Sequence, residues 1–161
     1  MKAKPKIYID GDACQVINKT EDLAKKYRVK CHIYCDTTRT IESDYSEIHT
    51  VDCGPDSVDF AILNACSRGD IIITADGGLA SLALSRGCHV INPYGIELTN
   101  ENVTALLASR YMRSRVCRSR GKKRTRTSSV MKACGPGPVF EKEPYTQILT
   151  RVLKQTTHKT L

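Results

Sequence analysis

With 161 residues, 40% of them hydrophobic and 26% charged, the chain has the makeup of a single globular domain, large enough to bury a core without disulfide or metal staples. No apolar run approaches the roughly 18 residues that a membrane helix needs. The amino-terminal lysines lead through Ile7-Tyr8-Ile9 directly into Asp10-Gly11-Asp12, without the apolar middle of a signal peptide, so a cytoplasmic location and no membrane partner are expected.

Lys6-Ile7-Tyr8-Ile9 predicts a first strand, Asp10-Gly11-Asp12 a turn, and the spacing of Val16, Ile17, Leu23 and Ala24 a helix from about Cys14 to Tyr27. Cys31-His32-Ile33-Tyr34-Cys35 and Ile48-His49-Thr50-Val51 predict two more strands. A helix from Asp56 to about Arg68 follows, with Asp56 or Ser57 as its cap and Val58, Ala61, Ile62, Ala65 and Cys66 as its apolar stripe. Ile71-Ile72-Ile73 has the composition of a strand covered on both faces, with Thr74-Ala75-Asp76-Gly77-Gly78 as its exit turn. A helix over about 79–86, a strand at 88–91 and a stop at Asn92-Pro93-Tyr94-Gly95 come next. Thr99-Asn100-Glu101-Asn102 caps a helix running through Leu106, Leu107 and Tyr111, and a last helix is predicted from Pro144 through Ile148, Leu149, Val152 and Leu153. Strands alternating with helices at this spacing predict a Rossmann-like three-layer α/β/α fold with a parallel sheet.

Eight cysteines are present without any Cys-x-x-Cys, which argues against zinc and for reduced, buried thiols at Cys31, Cys66 and Cys88. Acidic residues are more informative. Asp10, Asp12, Asp59 and Asp76 fall at carboxyl ends of predicted strands or at the starts of the following helices, with Asp56 beside Asp59. In an open parallel sheet these positions line one crevice. A single aspartate in such a place is ordinarily a turn or capping residue. Jointly, oxygen-only donors at a strand-end crevice suit Mg²⁺ or Mn²⁺. The chemistry on offer is phosphoester hydrolysis, through a bound water of lowered pKa and charge stabilisation at phosphoryl oxygens. Asp52 and Asp70 are left out of the site, since Asp70 precedes its strand and belongs at the opposite edge.

Ile9-Asp10-Gly11-Asp12-Ala13-Cys14, Asp56-Ser57-Val58-Asp59, Gly69-Asp70-Ile71-Ile72-Ile73-Thr74-Ala75-Asp76 and Asn92-Pro93-Tyr94-Gly95 together resemble the YaiI/YqxD family of uncharacterised bacterial proteins. Gly137-Pro138, Phe140 and the last helix resemble its carboxyl-terminal signature more loosely. The resemblance implies a PIN-like domain, a fold of metal-dependent nucleases. It places Asp10, Asp12, Asp59 and Asp76 as metal-holding and catalytic acids, Asp56 as a further metal ligand, and Thr74 as support for Asp76. Gly11 stands where the family usually has alanine, Gln15 where it has proline, and Gly77-Gly78 where it has a bulkier pair. The implied organisation is a PIN-like domain over residues 1–118, a basic Gly/Pro/Ser-containing connection over 119–138, and a carboxyl-terminal helix over 139–161 on or near the same domain.

The +8 net charge is unevenly spread: residues 1–109 carry 11 Lys/Arg against 15 Asp/Glu, and residues 110–161 carry 14 against 2. Within the basic part, Arg113, Arg115, Arg118, Arg120, Lys122, Lys123, Arg124 and Arg126 form a candidate phosphate-tracking surface for nucleic acid, RNA in the leading reading; the plainer alternative is a solvated connection. Two other functional readings stand beside a metal-dependent ribonuclease. Asp10-Gly11-Asp12 also resembles the first motif of haloacid-dehalogenase-type phosphatases, with Asp10 as nucleophile, Asp12 as general acid and Thr37 or Thr38 as the required hydroxyl, although no lysine lies between Lys30 and Arg110. The third is a non-catalytic nucleic-acid-binding protein. An oligomer is compatible with each.

Overall fold

The computed structural model describes residues 4–119 and 143–158. Six strands form one sheet: β1 (Ile7–Asp10), β2 (Cys31–Asp36), β3 (Glu47–Val51), β4 (Ile71–Ile73), β5 (His89–Asn92) and β6 (Ile96–Leu98). Its order is β3-β2-β1-β4-β5-β6, parallel throughout except for the antiparallel β5/β6 pair. The helices are α1 (Ile17–Tyr27), α2 (Ser57–Ala65), α3 (Gly77–Ser85), α4 (Asn100–Ser119) and α5 (Tyr145–His158). None of the described helices is long and apolar enough to cross a membrane.

Side-chain alternation along the strands builds two cores, one on each face. Ile7, Ile9, Ile33, Ile71, Ile73 and Ile91 bury one face against Val16, Ile17 and Ala24 at α1 and Ile148, Leu149, Val152 and Leu153 of α5. Tyr8, Tyr34, Ile72 and Val90 bury the other against Ile62 and Leu63 of α2, Leu79, Ala80 and Ala83 of α3, and Val103 of α4. The three-layer α/β/α architecture follows, with the central isoleucine run of β4 covered on both sides. On the α1 side, α5 is tied down by a 2.7 Å hydrogen bond between the Tyr145 and Thr20 hydroxyls. Arg151 also bridges Glu143 at 2.8 Å and Glu97 of β6 at 2.9 Å.

Several local features depart from the sequence expectation. The first helix does not run continuously from the β1 turn: Gly11–Val16 is a 3-10 segment, kinked at Ala13, and regular α-helix begins at Ile17. Helix α2 stops at Ala65, short of Arg68, because Cys66 turns extended. Asp70 drives that exit, its carboxylate accepting the Ser67 amide at 2.8 Å and the Lys6 amide at 2.9 Å and so pinning the loop at the amino-terminal edge of the sheet. Asn92–Gly95 is a tight turn rather than an exit, closed by Gly95 N–H to Asn92 O at 3.1 Å and by Tyr94 N–H to Asn92 Oδ1 at 2.8 Å. Gly95 has φ of +87°, and a Cβ there would also run into the Glu143 carbonyl, so glycine alone permits both the turn and the approach of the α5 lead-in. The short edge strand β6 that this turn creates was not foreseen. The α4 cap matches expectation: Thr99 N–H donates to Asn102 Oδ1 at 2.7 Å while Asn102 N–H returns to Thr99 Oγ1 at 3.4 Å.

Candidate functional site

Strand order reverses between β1 and β4, since β2 and β3 extend the sheet to one side of β1 and β4, β5 and β6 to the other. In open α/β sheets ligands bind outside the carboxyl ends of the strands at such a switch point. A cleft of about 250 Å³ lies there, lined by Asp10, Asp36, Asp56, Asp59, Asp76 and Arg39 among others. Residues 10, 56, 59 and 76, picked out in the sequence, therefore border one crevice. Asp12 sits in the 3-10 segment that begins at Gly11.

Asp10, the last residue of β1, is buried, with 7% of its surface exposed. Its Oδ2 accepts a 2.9 Å hydrogen bond from the hydroxyl of Thr74, which is itself fully buried. The same hydroxyl oxygen accepts the Asp76 amide at 3.0 Å. Thr74 thus locks the end of β1 to the turn after β4. Asp76 caps α3, its Oδ1 accepting the amides of Gly78 at 2.6 Å and Leu79 at 3.0 Å. The ordinary capping role that any strand-end aspartate can fill is therefore met at Asp76 while its carboxylate also borders the cleft.

At α2 the outcome is reversed. Asp56 occupies the cap position but makes no side-chain capping bond; its backbone is left-handed, with φ of +57°, and its side chain is exposed. The expectation that Asp56 caps the helix is corrected: a residue in this conformation does not aim its carboxylate at the first amides of the helix. Asp59 is half-buried in the first helical turn.

Asp36 and Arg39 were not singled out in the sequence. Asp36 ends β2, and the Thr38 hydroxyl and amide, both donating to its Oδ1, hold its carboxyl below the usual carboxylate range. The hydroxyl that the phosphatase reading would draw on at Thr38 is thus turned toward Asp36. Arg39 reaches back to the Gly11 carbonyl at 3.3 Å and is the cation among the acids of the cleft. Both could have been suspected from their place, Asp36 at the carboxyl end of β2 and Arg39 in the connection that follows it.

Oxygen donors, one buried carboxylate and an open mouth fit a hard divalent ion that keeps much of its water and takes only one or two protein carboxylates. Among the described residues the cleft carboxylates form no closed all-protein cage. Among the described residues, the group of three or more His, Cys, Asp or Glu side chains whose donor atoms all lie within 4.8 Å of one another is His32, Glu47 and His49, on β2 and β3, and no three of the described cleft carboxylates come that close together. Of the basic residues, Arg113, Arg115 and Arg118 are carried on the carboxyl-terminal half of α4, while Arg120, Lys122, Lys123, Arg124 and Arg126 lie outside the described residues. The buried thiols behave as small hydrophobes: burial pushes Cys31 up to about 11 and Cys88 up to about 12.

Comparison with known proteins gives no significant match to a solved structure. A UPF0178 protein of Clostridium acetobutylicum is 37% identical over 117 residues, covering 73% of this chain and 79% of the relative. One from Clostridium tetani is 42% identical over 117 residues, covering 73% and 80%, and one from Natranaerobius thermophilus is 41% identical over 122 residues, covering 76% and 82%. The family model described as "Uncharacterized BCR, YaiI/YqxD family" matches residues 8–135, which takes in the β1 turn, the α2 start and the β4 exit that frame the cleft, and the chain belongs to that family.

Proposed function

We propose that this protein is a Mg²⁺- or Mn²⁺-dependent PIN-like nuclease that hydrolyses phosphodiester bonds, with RNA as its substrate. The observation that carries the reading is Asp10: a carboxylate buried at the sheet's switch point, oriented by Thr74 and bordered by the exposed or half-buried acids Asp56, Asp59 and Asp76. Burying a carboxylate among like charges is unfavourable unless a cation or hydrogen bonds compensate. Asp10 would hold the ion directly, together with at most one of Asp12, Asp56 and Asp59, the other acids acting through its water shell, and Asp76 faces it from the β4 side. When bound, a divalent ion supplies a water of lowered pKa and neutralises charge at the phosphoryl oxygens.

The chain's own residues have separable tasks. Asp10 and Asp76 are fixed relative to one another through the Thr74 hydroxyl, so the two sides of the cleft cannot drift apart without breaking that bridge. Arg39, set among the acids, is placed to take a phosphate oxygen and set the register of the scissile group. The basic run from Arg113 to Arg126 would track the phosphate backbone toward the cleft, with binding that falls as salt rises.

The test is cleavage of a labelled single-stranded RNA by purified protein with Mn²⁺ or Mg²⁺, and with EDTA. Metal-dependent cleavage is expected, reduced on the order of 100-fold or more in Asp10→Asn, the scale on which a positioned acid–base group contributes. Cleavage that survives EDTA, or that is unchanged from the parent protein in both Asp10→Asn and Asp76→Asn, would remove the proposal.

A further inference from the structure

Below the cleft, on the face of the sheet that carries Tyr8 and Tyr34, β2 and β3 bring three side chains together that the nuclease reading does not use. The parallel register sets His32 opposite Glu47 and Tyr34 opposite His49, so both histidines and the glutamate project from one face. His32 Nδ1 lies 3.1 Å from His49 Nε2 and 3.5 Å from Glu47 Oε2, and His49 Nε2 lies 3.6 Å from Glu47 Oε1. The rings are held from behind, His32 stacked on Tyr8 with centroids 5.3 Å apart and His49 on Tyr34 at 4.5 Å. Exposure rises across the group, from 12% for the His32 side chain through 31% for His49 to 66% for Glu47, so it opens outward at the glutamate.

From this geometry we infer that His32, Glu47 and His49 form a binding site for a divalent transition ion of the zinc type, with a fourth position open to solvent. Ligand atoms about 2.0–2.1 Å from a tetrahedral Zn²⁺ stand roughly 3.3–3.4 Å from one another, near the separations of 3.1, 3.5 and 3.6 Å here, in which Glu47 turns Oε2 to His32 and Oε1 to His49. A hydrogen-bonded imidazole–carboxylate pair would instead close to about 2.7–2.9 Å, and Glu47 approaches neither histidine that nearly. The two histidines meet at 3.1 Å, within hydrogen-bond reach, while Glu47 stands off them at 3.5 and 3.6 Å, a gap that an ion held among the three donors would bridge. His32 adds a second sign. Its Nε2 is buried without a hydrogen-bond partner, so the ring's polar demand is met, if anywhere, at Nδ1, the atom that faces the group. Two imidazoles with one carboxylate favour a borderline ion over the hard, oxygen-seeking Mg²⁺. The site is independent of the nuclease reading and would stand if that reading fell.

A bound ion would clamp the edge strand β3 onto β2 and fix the ring of Tyr34, which also borders the cleft. The test is titration of Zn²⁺ into full-length protein stripped of transition metals and held in excess Mg²⁺, which occupies the oxygen-donor cleft, followed by calorimetry and thermal melting. Saturable binding of one ion is expected, with a rise in melting temperature. Glu47→Gln and His49→Gln should each weaken binding at least 10-fold, while Asp10→Asn leaves it unchanged. Glu47 is exposed, so its variant should fold, and circular dichroism checks that. Co²⁺ provides a second readout: visible ligand-field bands without near-ultraviolet thiolate charge transfer are expected from nitrogen and oxygen donors. No saturable Zn²⁺ binding, binding indifferent to Glu47→Gln and His49→Gln, loss of binding in Asp10→Asn, or a thiolate band with Co²⁺ would each overturn the inference.

Discussion

Replacing Thr74 by valine keeps the shape of a fully buried side chain and deletes one hydroxyl, so it isolates the bridge between the two sides of the cleft. Two hydrogen bonds disappear with it: the 2.9 Å donation to Asp10 Oδ2 and the 3.0 Å acceptance from the Asp76 amide. A hydrogen bond to a charged partner contributes about 1.5–3 kcal/mol and a neutral one about 1 kcal/mol, so Thr74→Val should cost about 3 kcal/mol. In a chain of this size each kcal/mol moves the melting temperature by about 2–4 °C, which predicts a fall of about 6–12 °C. Urea denaturation should show a lower midpoint at unchanged slope. Thr74→Ser keeps both bonds and loses one buried methyl, for about 1 kcal/mol. If valine were within about 0.5 kcal/mol of the parent, or no worse than serine, the hydroxyl would not be what joins β1 to the β4 exit, and the positioning of Asp10 would need another cause.

Asp76→Ala should cost about 1 kcal/mol by removing the α3 cap, whereas Asp76→Asn, which can still accept the Gly78 and Leu79 amides, should stay within about 0.5 kcal/mol; equal losses by chemical denaturation would refute the capping role. At Gly11 an added Cβ would fall 2.8 Å from the Tyr34 carbonyl and 2.9 Å from Cys35 Cβ, so Gly11→Ala should destabilise by about 1–3 kcal/mol, and a neutral or stabilising result would show that β2 can give way there. A short iodoacetamide pulse at pH 8, read by peptide mass spectrometry, should mark exposed Cys53 well before Cys31 or Cys88. A thiol with pKa about 11 is roughly one part in a thousand thiolate at that pH, against about a quarter for an ordinary one, and equal labelling of Cys31 and Cys53 would contradict its burial.

The architecture was legible where burial dictates composition. Ile71-Ile72-Ile73 has the composition of a strand covered on both faces, and Ile7, Tyr8 and Ile9 mark the first strand, while the assignment of Ile7 and Ile9 to one core and Tyr8 to the other comes from the packing. The misses lie where side chains outside the local pattern decide the backbone. Asp70 ends α2 early by reaching the amides of Ser67 and of Lys6, 64 residues away, and no helical periodicity carries that information. At Asn92–Gly95 the turn residues were recognised, but whether the chain leaves the sheet or folds back as β6 rests on the packing of Glu143 and α5 against Gly95.

At the site, the difference between the acids and the histidines is one of topology. Strand-end aspartates can be read from one sequence because the parallel α/β arrangement sends every carboxyl strand end to the same edge, whatever the register. His32, Glu47 and His49 lie within strands, and they meet only if β2 and β3 are neighbours, parallel, and paired with residue 32 opposite residue 47. A shift of one residue would turn Glu47 and His49 to the opposite face from His32. The same dependence makes the two sites chemically distinct within one sheet. Oxygen donors collect at the edge, around the open cleft, and the histidines sit on the face, backed by the Tyr8 and Tyr34 rings. A hard, hydrated ion belongs to the first setting and a borderline ion to the second, so a single cation serving both would contradict the ligand chemistry that each location provides.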